Sequence, residues 1–105
     1  MLELNKENFE QEVLKAEGKV FVDFYSKGCV PCQALMPFVH TCADKYGHKL
    51  KFAGLDIEQA RRLAISQKVL GLPVMAIYEN GVKIEELVKD DATETSIEAM
   101  IERNM

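Results

Sequence analysis

"KVFVDFYSKGCVPCQALMP", residues 19–37, contains a change of period. Residues 19–26 form an almost unbroken apolar and aromatic run, the pattern of a strand covered on both faces. Gly28 interrupts it, and from Val30 to Tyr46 the side chains Leu35, Phe38, Val39, Cys42 and Tyr46 return at helical spacing. A buried strand therefore feeds directly into an amphipathic helix. Two cysteines, Cys29 and Cys32, stand at the joint. Pro37 lies inside the helical stretch and is expected to kink it.

The same alternation continues outward in both directions. Leu2–Leu4 reads as a short edge strand. From Asn5, a candidate N-cap, Phe9, Val13 and Leu14 recur at helical spacing, and Gly18 stands where that helix would end. "LKFAGLDI" (50–57) is a second buried strand, and Asp56 leads into a short helix with Ala60, Leu63 and Ala64 on its inner face. "PVMAIYE" (73–79) and "VKIEELV" (82–88) flank Asn80-Gly81, a strong hairpin-turn dipeptide. Thr95-Ser-Ile-Glu98 has the form of a capping box opening a last helix through Ile97, Met100 and Ile101. The order β-α-β-α-β-α-β-β-α predicts an α/β protein: a three-layer α/β/α sandwich around a central mixed sheet, with an antiparallel hairpin at one edge.

With 105 residues the chain suits one domain, 1–105, and one core. A formal net charge of −4 and the lack of any basic run argue against nucleic acid and against an anionic membrane surface as partners. The opening "MLELNKENFEQEV" lacks the charged start and apolar stretch of a secretory signal, and no apolar run is long enough to span a bilayer. Three cysteines are too few, and odd in number, for a secreted disulfide framework. A reducing cytoplasm is the expected compartment, and a monomer the expected state. In that compartment a C-x-x-C pair acts in catalysis or holds metal more often than it serves as a static clasp.

A tetrahedral zinc site needs four ligands. The additional candidates are Cys42, on the apolar stripe, and His40 and His48, on polar flanks. No second C-x-x-C or spaced His pair exists, so neither a metal nor another cofactor is expected. A dithiol at a helix start favours redox chemistry instead. Unpaired N–H groups and the helix dipole stabilise an anion near Cys29, which makes it the expected nucleophile. Cys32, one turn on, is placed to attack a mixed disulfide formed at Cys29. Pro31 fits the first turn, where its missing N–H costs nothing.

Two further residues bear on this chemistry. Asp23 interrupts the run "VFVDFY" with a carboxylate whose burial raises its pKa, and it precedes Cys29 by six residues on the strand leading to it. It is a candidate proton-transfer group for Cys32. Pro73 is either a strand-start proline or a cis bond turning the backbone toward the cysteines. Cys42, Met36 and Met75 are read as core filler.

"VDFYSKGCVPCQALMP" followed by "GLPVMAIYENG" resembles the thioredoxin family in pattern and spacing over nearly the whole chain. The resemblance implies the thioredoxin fold, with Cys29 as exposed nucleophile, Cys32 as buried resolving thiol and Asp23 as the proton-transfer carboxylate. It makes Pro73 the cis-proline beside the disulfide and gives Leu72 backbone hydrogen bonds to an extended substrate segment. It also implies disulfide-containing protein substrates, recycling by a flavoprotein thioredoxin reductase, and no cofactor beyond the cysteine pair.

Departures from the family pattern sit around the pair. Gly28 replaces a tryptophan, and Val30 replaces a glycine where partners approach, so both belong with Pro31, Leu72 and Pro73 among the expected substrate-binding residues. Gly54 stands where many relatives carry a lysine that pairs with the buried aspartate. The late family glycine is missing from "VKDDATE", where Lys89, Asp90 and Asp91 make a charged rim. The GCVPC site is similar to those of thioredoxins from amino-acid-fermenting, clostridial-type anaerobes, some of which serve amino-acid reductases. The expected function is a thiol-disulfide oxidoreductase; the alternatives are a glutathione-linked, glutaredoxin-like protein and a non-enzymatic docking module.

Overall fold

A computed structural model describes residues 1–105. Strands β1 (Leu2–Leu4), β2 (Lys19–Tyr25), β3 (Lys51–Asp56), β4 (Val74–Glu79) and β5 (Val82–Val88) form one sheet in the order β1-β3-β2-β4-β5. β2 lies at the centre, parallel to β3 and antiparallel to β4. β1 runs parallel to β3 on one edge, and β5 runs antiparallel to β4 on the other. The mixed sheet with a hairpin edge is the one expected.

The unbroken apolar run follows from the central position of β2. Val20, Val22 and Phe24 project to one face, where they pack with Phe9, Val13, Leu55, Ala64 and Tyr78. Phe21 projects to the other face, into a second cluster with Val39, Cys42, Met75, Ile97 and Met100. α1 (Val30–Tyr46) and α3 (Glu94–Glu102) cover this second face; α2 (Arg61–Ser66) and the helical segment before β2 cover the first. Asp23 shares the face of Phe21, toward α1, because strand side chains alternate.

Two local expectations change. The segment after Asn5 is not an α-helix running to Gly18. Asn5 does cap a turn, accepting from the N–H groups of Glu7 (2.8 Å) and Asn8 (2.9 Å), but the helical part is a short π-helix, Glu10–Leu14. The Lys15 N–H closes it on the Glu10 carbonyl at 2.8 Å, an i→i+5 bond. Phe9 and Val13 are still buried, as their spacing requires. The capping box of α3 begins two residues earlier than expected: Thr93 Oγ1 accepts from the Ser96 N–H (3.0 Å), and Ser96 Oγ accepts from the Thr93 N–H (2.9 Å). Glu98 is drawn instead to α1, accepting from the Tyr46 hydroxyl at 2.7 Å and from Lys45 at 3.2 Å.

α1 runs through Pro37, whose carbonyl accepts from Thr41 Oγ1 at 3.0 Å. The β4–β5 turn has the left-handed pair Asn80 (φ 51°) and Gly81 (φ 85°), as an Asn-Gly hairpin of mirror type requires. Asn80 also pins this turn to the start of β2: its N–H donates to the Gly18 carbonyl, and its Oδ1 accepts from the Gly18 N–H, each at 3.0 Å.

Gly18 (φ 78°) and Gly81 share a left-handed backbone but not their surroundings. A Cβ at Gly18 meets open space, whereas one at Gly81 collides with the carbonyl oxygen of Leu14. Gly18→Ala should therefore cost about 1–2 kcal/mol from backbone strain alone. Gly81→Ala should cost about 1–3 kcal/mol more for the collision. Urea unfolding of the two variants checks this, and equal losses would contradict the packing of the hairpin turn against Leu14.

Candidate functional site

The joint between β2 and α1 is tied down before any cysteine chemistry begins. The Ser26 carbonyl accepts from the Cys29 N–H at 3.3 Å and from the Gln33 side-chain amide at 2.9 Å. These bonds fold residues 26–29 into a turn that delivers Cys29 to the N-cap of α1, with Pro31 in the first helical turn. The Cys29 carbonyl then accepts the first helical bond, from Gln33, at 3.1 Å. Cys29 Sγ accepts from the Cys32 N–H at 3.3 Å. A sulfur in that position meets the unpaired donors of a helix N-terminus, which favour its anionic form.

Cys29 and Cys32 are joined in a disulfide across a Cα–Cα distance of 5.2 Å, within the span such a bond accepts. Cys29 is partly exposed and Cys32 is buried. A partner can therefore reach the first sulfur and not the second.

Asp23 is fully buried, and neither carboxylate oxygen has a hydrogen-bond partner. Across the sheet it pairs with Gly54 on one side and Met75 on the other, and neither brings a donor side chain. Burial, with a smaller contribution from the negative charge of Glu3, pushes its pKa from 3.8 up to about 7. Gly54 brings no cation that would hold the carboxylate in its charged form.

Beyond the hairpin side of the site, the Leu72–Pro73 bond is cis and Pro73 is buried. The Pro73 carbonyl is taken by the Lys89 N–H at 2.7 Å, while the N–H and C=O of Leu72 pair with no other backbone group. Val30 is 78% exposed, and the space around Gly28 is open. Lys89, in the "VKDDATE" stretch that lacks the late family glycine, adopts a left-handed backbone (φ 55°), and its side chain lies over Gly71.

The remaining candidates lie apart from this chemistry. Cys42 is a buried free thiol whose pKa is pushed up to about 11, by burial first and then by Glu98, so it is protonated at neutral pH. His40 and His48 are exposed. No group of three or more His, Cys, Asp or Glu side chains is placed to hold a metal ion. Sequence reasoning missed Glu3 and Tyr25, whose hydroxyl donates to Glu3 Oε1 at 2.6 Å close to Asp23. Alternation in "LEL" places Glu3 opposite Leu2 and Leu4, but only the strand order shows what it faces.

A cysteine pair capping a helix of an α/β sandwich defines a thiol-disulfide oxidoreductase. The family model for thioredoxin matches residues 1–103. A thioredoxin of Acetoanaerobium sticklandii is 53% identical over 103 residues, covering 98% of this chain and 98% of its own length. A thioredoxin of Peptoclostridium acidaminophilum is 52% identical over 105 residues, covering 100% of this chain and 96% of its own. The chain belongs to the thioredoxin family, and it is an enzyme of thiol-disulfide exchange through its cysteine pair. Both relatives are thioredoxins of clostridial-type bacteria, the group the sequence resembles. No helix is long and apolar enough to cross a membrane.

The buried acid makes stability depend on pH with a definite sign. Its folded pKa, about 7, lies above the ordinary 3.8, so between these values the folded state keeps a proton the unfolded chain has lost. Stability therefore falls as pH rises through that window and levels off above it, a loss on the order of 4 kcal/mol. In the oxidised protein, Asp23→Ala should gain on wild type by about that amount between pH 4 and pH 8. Chemical unfolding at the two pH values measures it, and a pH-independent difference would show that Asp23 titrates normally.

Proposed function

We propose that the protein reduces disulfides of partner proteins, with Cys29 as nucleophile, Cys32 as resolving thiol and Asp23 as the group that takes the Cys32 proton. The observation that carries this reading is the combination of a reachable sulfur at a helix N-cap with a buried, hydrogen-bond-free carboxylate on the sheet face toward the same helix.

The electron flow is that of two successive exchanges. The Cys29 thiolate attacks one sulfur of the partner disulfide; a Cys29–partner disulfide forms, and the other partner sulfur leaves as thiolate with the bonding pair. Cys32 then gives its proton to the Asp23 carboxylate and attacks Cys29 Sγ. The Cys29–Cys32 bond forms, the second partner sulfur departs as thiolate, and two electrons have passed from the dithiol to the partner. Run backwards, with electrons from a reductase dithiol, the same steps recharge the pair, and Asp23 returns the proton to the departing Cys32 sulfur.

Substrate docking falls to the surface around the pair. An extended partner segment fits the unpaired N–H and C=O of Leu72 beside Pro73, as a strand adds to an open edge. Gly28, Val30 and Pro31 form the approach to the sulfur. Val30 by its shape, and Lys89, Asp90 and Asp91 by their charge, narrow the range of partners. A flavoprotein thioredoxin reductase is the electron donor in this reading, and an amino-acid reductase system is among the disulfide partners. The setting is the cytoplasm, and the active form is a monomer needing no cofactor.

Insulin reduction driven by dithiothreitol tests the roles together. Wild type should be active and Cys29→Ser inert, while Cys32→Ser should accumulate partners as mixed disulfides on Cys29, recoverable by thiol-cleavable capture. Undiminished turnover in Cys29→Ser would remove the proposal.

A further inference from the structure

β1 brings a second acid onto the row of the sheet where Asp23 stands. Glu3 pairs in register with Gly54, and Gly54 with Asp23, so the three residues line one row and face the same way. Two strand spacings, about 9.6 Å, separate the outer backbones. Gly54 places no side chain between the two acids. A Cβ there would meet the Met1 Cε at 2.9 Å and the Tyr25 ring at 3.4 Å, so those groups fill the space. Tyr25, two residues from Asp23 on β2, faces the same way and donates its hydroxyl to Glu3 Oε1 at 2.6 Å. The exposed Glu3 side chain is thereby tethered at the sheet, on the row of a carboxylate that has no donor of its own.

We propose that Glu3, tethered by Tyr25, is a positioning residue that biases Asp23 toward its protonated form from the neighbouring edge of the sheet. The consequence for catalysis rests on the reading of Asp23 as proton acceptor; the coupling of the two acids does not. With a glycine at position 54, the nearest charge on this row is an anion, and two like charges disfavour simultaneous ionisation. Asp23 is therefore a stronger base for Cys32, ionised over a narrower range of pH. Burial acts in the same direction and is the larger cause. Nearest to Asp23 are Tyr25, two residues along β2, and Asp56, which pairs with Tyr25, while β4 offers the uncharged Met75; the cysteine pair and Cys42 lie on α1, and Lys19, Glu79 and Glu85 stand further along the same face of the sheet.

Carboxyl carbon NMR titration of the full oxidised chain tests the coupling without any turnover. Glu3→Gln keeps an oxygen for the Tyr25 hydroxyl and removes the charge; it should lower the Asp23 midpoint by roughly 0.5–1 pH unit. Tyr25→Phe, which frees Glu3 to swing into solvent, should lower it by less. Added salt should narrow the gap between wild type and Glu3→Gln, because Glu3 is exposed and screened. Glu79→Gln, at the other end of β4, controls for net charge and should leave the midpoint in place. A midpoint unmoved in Glu3→Gln, or moved equally in Glu79→Gln, would overturn the proposal. A lowered midpoint supports the coupling whatever the exchange rates do, so failure of the Asp23 role in catalysis would be seen separately.

Discussion

A carboxylate without a hydrogen-bond donor, in the central strand of the sheet, is the constraint around which this molecule is arranged. Above neutral pH it costs the folded state on the order of 4 kcal/mol, set against a total stability of about 5–15 kcal/mol for a domain. No contact in the fold offsets that cost. Asp23 accepts no hydrogen bond, faces no cation, and shares its row with Glu3. Such a group makes poor sense as architecture. In the proposed role it is a base held near neutrality, with burial the means and proton exchange with Cys32 the use.

The other parts of the site follow from where β2 lies. Because it is central, its continuation through the Ser26 turn emerges at the end of the sheet and starts α1 there. Cys29 reaches the surface at that point, and Cys32 points back inside. The antiparallel neighbour β4 begins at the same end, which brings the Leu72–Pro73 segment there too. The chemistry is thus fixed by buried elements, while Gly28, Val30 and Lys89, which differ from the family pattern, lie on the outside. Lys89 adopts the left-handed backbone without being glycine and spreads its side chain over Gly71, so the charged rim is achieved at some cost in strain.

Much of this was legible in the residues, for identifiable reasons. The switch from a continuous apolar run to helical spacing at Gly28 locates β2, α1 and the cysteine pair between them. Asp23 stands out because every neighbour in its run is apolar. Asn80-Gly81 marks its turn because few other dipeptides take two left-handed residues. The misses have physical causes as well. Spacing of apolar residues four apart does not separate an α-turn from a π-turn, so for the segment holding Phe9 and Val13 it points to the commoner helix. Thr93 and Thr95 both start plausible caps, and the choice is settled by Glu98, which Tyr46 and Lys45 of another helix claim. Glu3 was invisible as a partner of Asp23 because no local pattern reveals that β1 lies beside β3, with only a glycine between the two acids.

The central claim, that Asp23 takes the proton from Cys32, is most directly tested on the resolving step alone. Loading Cys29 with thionitrobenzoate and following its release by stopped-flow absorbance isolates attack by Cys32 on the mixed disulfide. The wild-type rate should rise through an inflection near pH 7, where Asp23 ionises. In Asp23→Asn the rate at neutral pH should fall on the order of 100-fold and the inflection should vanish, leaving only the thiol's own ionisation. Superimposable profiles for the two proteins would contradict the account.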